Sequence, residues 1–389
     1  MTTPWRVLVL APYFTPAVRA GGPVRTLAAL VSQAPAGIEV DVITRHSDHG
    51  TPLASPVPEH SWVPHGRHRV QYLRRSRWAA ARAAVTLDSD LVYLNSFFDP
   101  AFALLPQVAL ALVRRSRPVM VAPRGELSPG ALELKSRKKR LVLFVYRTLG
   151  LHRRVLWHAS AEREATEIRC ALGPHVEVLV RENETELPAE PHVPRERPTG
   201  PLRAVFLSRL VPKKGLHVLL EGLARVEGDL SLDVYGTEED GTYVRRCRAL
   251  ATASGKRVTF HGPVAPDDVR AHLASADVML FPTASENFGH VIAEALSVSC
   301  PVVLPDTTPW SDLVRRGGGA VVQGLNAQAW ATEIDAWTRL TPDVLANRRR
   351  AAAIAYREWR GADQPPHVFA QARQTFEFTV APGAATRRG

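Results

Sequence analysis

The sequence predicts an α/β chain of two domains, each built on a parallel sheet with helices on both faces. Short aliphatic runs bounded by turn residues recur along the 389 residues, the pattern of strands buried on both sides. Helical stretches separate these runs, as the crossovers between parallel strands require. The alternation breaks once, at residues 184–201, where five prolines and four glutamates crowd a stretch with almost no apolar content, and then starts again.

RVLVLA at 6–11 opens the first series, followed by a loop holding Gly21 and Gly22 and a helix over 23–33. A second strand covers 39–44, and the Pro- and His-rich stretch 46–67 is expected to be irregular. LVYLN at 91–95, VMVAP at 119–123, VLWHA at 155–159 and VEVLV at 176–180 complete a first domain expected over 1–183. Residues 184–201 are expected as a linker. RAVFLS at 203–208, LSLDVYG at 230–236, RVTFHG at 257–262, DVMLFP at 277–282 and PVVLP at 301–305 make a second domain, expected over 202–364. A helix within 365–380, after Pro365 and Pro366, is expected to cross back onto the first domain, with 381–389 as a disordered tail. Two such halves imply a ligand cleft between them, at the carboxyl ends of both sheets.

With 45% hydrophobic and 22% charged residues the chain is globular, neither disordered nor fibrous. Three scattered cysteines, Cys170, Cys247 and Cys300, offer neither a disulfide framework nor zinc spacing, so a reducing cytoplasm is expected. No signal peptide is expected from residues 1–20, and the longest apolar runs, such as 141–146, are too short to cross a bilayer.

The net charge of +11 is unevenly spread. Window 65–82 holds six arginines, window 134–154 holds eight lysines and arginines, neither holds an acid, and the rest of the chain therefore sums to −3. In the second window, KSRKKRLVLFVYRTLGLHRR, helical spacing gathers an apolar strip beside the charges. That suits a helix lying on an anionic membrane, or a surface for an anionic partner. It equally suits a solvated basic helix packed by its apolar side. Nucleic acid is not expected, because the windows have few aromatics for stacking and match no nucleic-acid module.

The chemistry concentrates in two segments. In FPTASENFGHVIAEALSVSCP, at 281–301, a strand ends, a loop carries Glu286, and a helix begins near Phe288 and Gly289. The free N–H groups of Phe288, Gly289, His290 and Val291 suit a phosphate. Glu286 just ahead, and Glu294 about two turns into the helix, can each accept hydrogen bonds from vicinal hydroxyls. A capping Glu286 and a surface Glu294 would explain the same residues without a ligand. In SRLVPKKGLHVLL, at 208–220, Arg209 and Lys214 follow a strand on the expected cleft side, in a chain with six lysines against 43 arginines. Two cations facing a helix N-terminus neutralise a diphosphate and stabilise it as a leaving group; a solvated strand-to-helix turn is the plainer alternative. No G-x-G-x-x-G follows the first strand and no P-loop is present, which argues against dinucleotide dehydrogenases and P-loop NTPases. Asp88 and Asp90 could be taken for a metal-binding pair, but they precede a strand, at the wrong end of a parallel sheet for catalysis.

Taken together, Gly21–Gly22, Arg209 with Lys214, the VYG turn ending at Gly236, HGPV ending at Val264, and ENFGHVIAEAL resemble the retaining glycosyltransferases of family 4 along nearly the whole chain. The resemblance implies a GT-B fold of two facing Rossmann-like domains. It also implies a nucleoside-diphosphate sugar, UDP- or GDP-linked, as donor, a hydroxyl acceptor, and no metal or other cofactor. By the same resemblance Arg209 and Lys214 bind the donor diphosphate, Phe288, Gly289, His290 and Val291 hold its distal phosphate, and Glu286 touches the sugar hydroxyls. Glu294 holds the ribose, the segment ending at Val264 lines the base pocket with Gly236 nearby, and Gly21 and Gly22 approach the phosphates from the other domain. APRGELSPGAL at 122–132 and TPWSDL at 308–313 are similar to a subgroup that builds bacterial exopolysaccharides. That subgroup has Arg124 where many relatives have a histidine on the acceptor side. The turn before the linker is Arg181-Glu182-Asn183-Glu184, where the family has asparagine-glycine-hydrophobe-aspartate. An epimerase or hydrolase of the same fold, and a basic membrane-binding protein without activity, are the alternatives.

Overall fold

A computed structural model describes residues 4–17, 21–48, 50–53, 55–74, 78–113, 117–133, 136–192 and 200–380. The chain divides into two compact units: Met1–Thr185 with Gln364–Gly389, and Glu186–Asp363.

The first unit carries strands β1 (Trp5–Leu10), β2 (Ile38–Arg45), β3 (Trp62–His65), β4 (His68–Leu73), β5 (Leu91–Leu94), β6 (Val119–Val121), β7 (Leu156–Ala159) and β8 (Val178–Val180). Their order in the sheet is β3-β4-β2-β1-β5-β6-β7-β8, and β3 alone runs antiparallel to its neighbour. In β1 the run Val7–Leu10 is aliphatic and buried, and all four residues of β5, Tyr93 among them, are buried. The stretch expected to be irregular contains β3, and β4 was not expected at all. HRVQYL alternates, with His68, Val70 and Tyr72 turned inward and Arg69 out, so it lacks the aliphatic run of its neighbours. Arg69 holds the register by a bidentate pair with Asp41 on β2, at 2.6 and 2.8 Å, and its guanidinium lies over Trp62 at 4.7 Å.

Helices Ala79–Thr86, Leu105–Leu112, Ser136–Thr148 and Glu162–Leu172 cover one face through a core of Ala84, Leu110, Leu143, Tyr146, Ile168 and Trp157. Helices Gly22–Ser32 and Val368–Val380 cover the other, where Leu27, Leu30, Phe369 and Ala372 meet the strands. Phe369 stands edge-on to Tyr93 at 5.3 Å. Within 184–201, Glu184 and Thr185 are buried, Pro188 O accepts from Tyr356 Oη at 2.5 Å, and His192 bonds Ser297 and Ser299. Residues 193–199 and 381–389 lie outside the described residues. Asp90 accepts from Arg6 N at 2.7 Å and donates its own N–H back to Arg6 O, so Asp90 pins the amino ends of β1 and β5 together.

Two histidines of this unit, His158 buried and His367 half-buried, are held neutral. His367 Nε2 faces Leu30 O at 3.0 Å and must donate, while its Nδ1 accepts from Phe369 N. His158 Nε2 likewise donates to Arg181 O at 3.1 Å and its Nδ1 accepts from Tyr93 Oη at 2.8 Å. Burial lowers His367 to about 4, and burial with the nearby Arg124 charge lowers His158 well below the usual histidine range. Burial also brings His68 to about 4, helped by Arg67. The unfolded chain takes up protons below its histidine pKa of about 6.5 that the folded unit refuses. Stability should therefore fall as pH drops from there toward 4, by about 2 kcal/mol at pH 5 for each of His367 and His68 and in the same direction for His158. Urea midpoints that are equal at pH 7.5 and pH 5 would contradict it.

The second unit carries β9 (Leu202–Leu207), β10 (Leu230–Tyr235), β11 (Arg257–Gly262), β12 (Val278–Leu280), β13 (Val302–Pro305) and β14 (Gly319–Val322), in the order β11-β10-β9-β12-β13-β14, all parallel. β14 was not expected, because GAVV is too short and starts on glycine. The strand order reverses at β9, which has β10 on one side and β12 on the other. The connections leaving β9 and β12 therefore lead to neighbours on opposite sides, the kind of reversal that leaves a crevice at the carboxyl ends of the strands.

Candidate active site

The crevice at the β9/β12 reversal is where two expected residues meet. Lys214 ends the short 3₁₀ turn Pro212–Lys214 after β9, and Glu286 sits in the loop after β12. Lys214 Nζ bonds Glu286 Oε1 directly, and Thr283 Oγ1 donates to the same oxygen at 2.8 Å. The ammonium lies 5.4 Å from the Phe281 ring centroid. The two side chains are only 12% and 11% exposed. A pair this buried contributes little net stability, because desolvation offsets the attraction. It does keep one cation and one carboxylate ready in a poorly hydrated crevice.

The backbone brings them together. Ala284 N donates to Lys213 O at 2.8 Å, tying the two loops. Gly215 has φ +71°, and a Cβ there would lie 1.8 Å from Pro282 O, so only glycine allows the turn to lie against the end of β12. Gly236 serves the β9/β10 side in the same way: a Cβ would lie 1.7 Å from Ser208 O.

Helix His290–Ser297 starts behind Glu286 with Gly289 as its N-cap and no side chain capping it. The helix end thus presents backbone N–H groups and the positive end of its dipole. Phe288 is a core residue: its ring packs edge-on to His290 at 4.8 Å and Trp310 at 5.5 Å, and its carbonyl accepts from Trp310 Nε1 at 2.5 Å. The TPWSDL segment is therefore the support that sets the helix start. Val291 is partly buried against the core. Glu294 is 5% exposed, which rules out a surface carboxylate.

Arg209 pairs with Glu239 at 3.3 Å, both half in solvent. Beyond Gly236, whose N–H donates to Gly262 O at 2.8 Å, Tyr235 stacks on His261 at 4.5 Å and 13° and leans on His272 at 4.4 Å. His261 Nε2 lies 2.8 Å from Asp233 Oδ1. Val264 is partly buried against the core of this unit. Sequence reasoning missed Thr283, Trp310, Tyr235 and Glu239. A tyrosine just before the VYG glycine and a threonine just past the DVMLFP strand were the available signals.

In the first unit, Gly21 is the N-cap of helix Gly22–Ser32, with open space around it. Arg124, with φ +53°, spends three guanidinium nitrogens: Nε donates to Asn95 Oδ1 at 2.8 Å, Nη1 to Asn183 Oδ1 at 2.6 Å, and Nη2 to Tyr93 Oη at 2.7 Å. The protons run one way, from Arg124 to Tyr93 Oη, from Tyr93 to His158 Nδ1, and from His158 Nε2 to Arg181 O. Gly125 N and the Ser160 hydroxyl donate to buried Glu164. Glu126 accepts from Ser96 Oγ, Phe97 N and Phe98 N, and burial pushes its carboxyl up. Arg124 thus locks the carboxyl ends of β5 and β6 to Asn183. A histidine and a tyrosine inside aliphatic strands were the only sequence sign of this network.

Two α/β units, each on a largely parallel sheet, are the architecture of the GT-B class. Its solved members include Anabaena HepE in complex with UDP and glucose, with a TM-score of 0.66 and 20% identity over 96% of this chain and 99% of that one. Sucrose-phosphate synthase from Thermosynechococcus elongatus gives a TM-score of 0.70 and 15% identity over 97% and 100%. At these identities the likeness is one of fold. The sequence of residues 190–357 matches the family described as Glycosyl transferases group 1, a match that falls within the second unit. The GDP-mannose-dependent alpha-(1-6)-phosphatidylinositol monomannoside mannosyltransferase of Mycobacterium tuberculosis is 34% identical over 180 residues, 42% of this chain and 43% of that enzyme. The D-inositol 3-phosphate glycosyltransferase of an Arthrobacter species is 31% identical over 165 residues, 40% and 39%. The chain thus spans about two fifths of the length of the curated relatives it matches.

Proposed function

We propose that the protein is a retaining, metal-independent glycosyltransferase that moves a sugar from a nucleoside-diphosphate sugar to a hydroxyl acceptor. The observation that carries this reading is the buried Lys214–Glu286 pair beside an uncapped helix start at the sheet reversal. As the bond from the anomeric carbon to the diphosphate breaks, negative charge grows on the departing oxygen. Lys214 and Arg209 meet that charge, and the N–H groups at Gly289, His290 and Val291 hold the distal phosphate. Charge stabilisation of this kind is strongest where water is excluded. Glu286 accepts from a sugar hydroxyl while Lys214 turns to the phosphate, so the resting ion pair is exchanged for two ligand contacts. Glu294 takes the ribose hydroxyls, and the Tyr235–His261 edge with Val264 takes the base. The acceptor oxygen attacks the face the diphosphate leaves, giving up its proton to the departing phosphate oxygen, and anomeric configuration is kept. The relatives' names favour a GDP-linked donor, whereas Anabaena HepE holds UDP.

A thermal-shift panel of UDP, GDP, ADP and dTDP in EDTA separates these. A nucleotide at about 100 times its dissociation constant adds about 2.7 kcal/mol of stability, a shift of several degrees. One nucleotide should shift the wild type and leave Lys214→Ala unmoved. No shift from any of them would remove the donor site.

A further inference from the structure

Ten of the eleven large hydrophobic side chains left exposed among the described residues belong to helices or their immediate ends, and eight of those, Trp78, Val108, Leu112, Val113, Leu141, Phe144, Val145 and Leu149, lie on one side of the first unit. They sit on or just beside helices Ala79–Thr86, Leu105–Leu112 and Ser136–Thr148, which cover the same face of the sheet. The three helices hold six lysines and arginines and no acid. On Ser136–Thr148 the inner side is settled: Leu143 and Tyr146 are buried, and Tyr146 Oη donates to Gln107 Oε1 of the neighbouring helix at 2.5 Å. The outer side then carries Leu141, Phe144, Val145 and Leu149 as one stripe at about 100° per residue. Arg140 and Arg147 fall together along one edge of it.

Along that edge a cavity of about 710 Å³ opens. Leu143, Phe144 and Leu172 give it apolar walls, Arg140, Arg147 and Arg153 line it as well, and no acid does. None of these three arginines forms an ion pair with a described residue, whereas half of the described arginines of the second unit do. Exposed apolar stripes of this size mark a surface that is covered in use. A purely protein partner would need acids to answer the arginines and apolar groups to answer the stripe. A bilayer of anionic phospholipid supplies both in register, with acyl chains beneath a plane of phosphates.

We propose that this three-helix face docks on an anionic bilayer and that the cavity seats one anionic phospholipid, its phosphate between Arg140, Arg147 and Arg153 and its chain against Leu143, Phe144 and Leu172. No helix among the described residues is long and apolar enough to cross a membrane, so the contact is interfacial. The inference does not depend on the proposed transferase activity, and its readouts need no donor or acceptor.

Sedimentation of the full chain with vesicles tests it. The protein should pellet with phosphatidylcholine–phosphatidylglycerol vesicles at low salt and stay in solution with phosphatidylcholine alone. Each basic residue near an anionic surface is worth about fivefold in partitioning, so the double variant Arg140→Ser/Arg147→Ser should lose about 25-fold. Leu141→Asp with Phe144→Asp, both at exposed positions, should lose at least about tenfold with unchanged circular dichroism, since the apolar insertion is gone. For the cavity, dihexanoyl-phosphatidylglycerol should raise Tm of the wild type but not of the arginine variant, and neither dihexanoyl-phosphatidylcholine nor inorganic phosphate should do so. Equal sedimentation with both vesicle types, or full binding by the aspartate variant, would overturn the docking face. A Tm rise with inorganic phosphate equal to that with the anionic lipid would overturn the lipid seat.

Discussion

Lys214→Ala is expected to leave a folded protein whose transfer rate is lower by about 10²–10³, the cost of one charged contact made to the transition state. Its ammonium is the cation that the fold buries beside the helix start, and its resting partner Glu286 is the carboxylate assigned to the sugar. Truncation leaves Glu286 with Thr283 as its remaining partner, so the carboxylate keeps a place and the loop keeps its shape. Lys214→Arg should not restore the rate. The guanidinium is planar and larger than an ammonium, and the turn that carries it is pressed against Pro282. Initial rates with circular dichroism on both variants check this; near-wild-type turnover in folded Lys214→Ala would remove its assigned role.

Gly215→Ala should have the largest effect on stability. The substitution puts a side chain on a left-handed backbone and drives a Cβ to 1.8 Å from a carbonyl oxygen that belongs to the chain and not to a flexible side chain. The first term costs about 1–2 kcal/mol and the forced separation about 1–3 kcal/mol more. We therefore expect about 2–5 kcal/mol off the unfolding free energy of the second unit, with loss of the nucleotide shift even where the unit remains folded. An unchanged urea midpoint together with an unchanged nucleotide shift would show that the close approach between the two loops has no part in the site.

Much of this architecture was legible in the sequence because strands buried on both faces have to be aliphatic. β1, β5, β9, β12 and β13 show it as short, mostly aliphatic buried runs, and their places came within a few residues. β4 and β14 escaped for opposite reasons: β4 alternates because Arg69 faces outward to Asp41, and β14 is four residues that start on glycine. At the site, Lys214 and Glu286 each stood out as a charge at a strand's carboxyl end, yet nothing local joined them, since they lie 72 residues apart. Arg124 was visible as a departure from the family pattern, but not its three bonds to Asn95, Asn183 and Tyr93, which come from three separate segments.

The sequence by itself determined that there are two parallel-sheet units, which residues stand at the carboxyl ends of their strands, and that the positive charge gathers in the first unit. These follow from hydrophobic period, turn chemistry and charge count, all of which act over a few residues. Only the tertiary structure decided that Lys214 meets Glu286, that Glu294 is buried, that Arg124 is spent on holding its own loop, and that three helices distant in sequence gather their exposed apolar side chains on one side. Strand order is the physical reason. It sets which chain ends become neighbours at the reversal beside β9 and which helices share a face of the sheet, and it is settled by the packing of the whole unit.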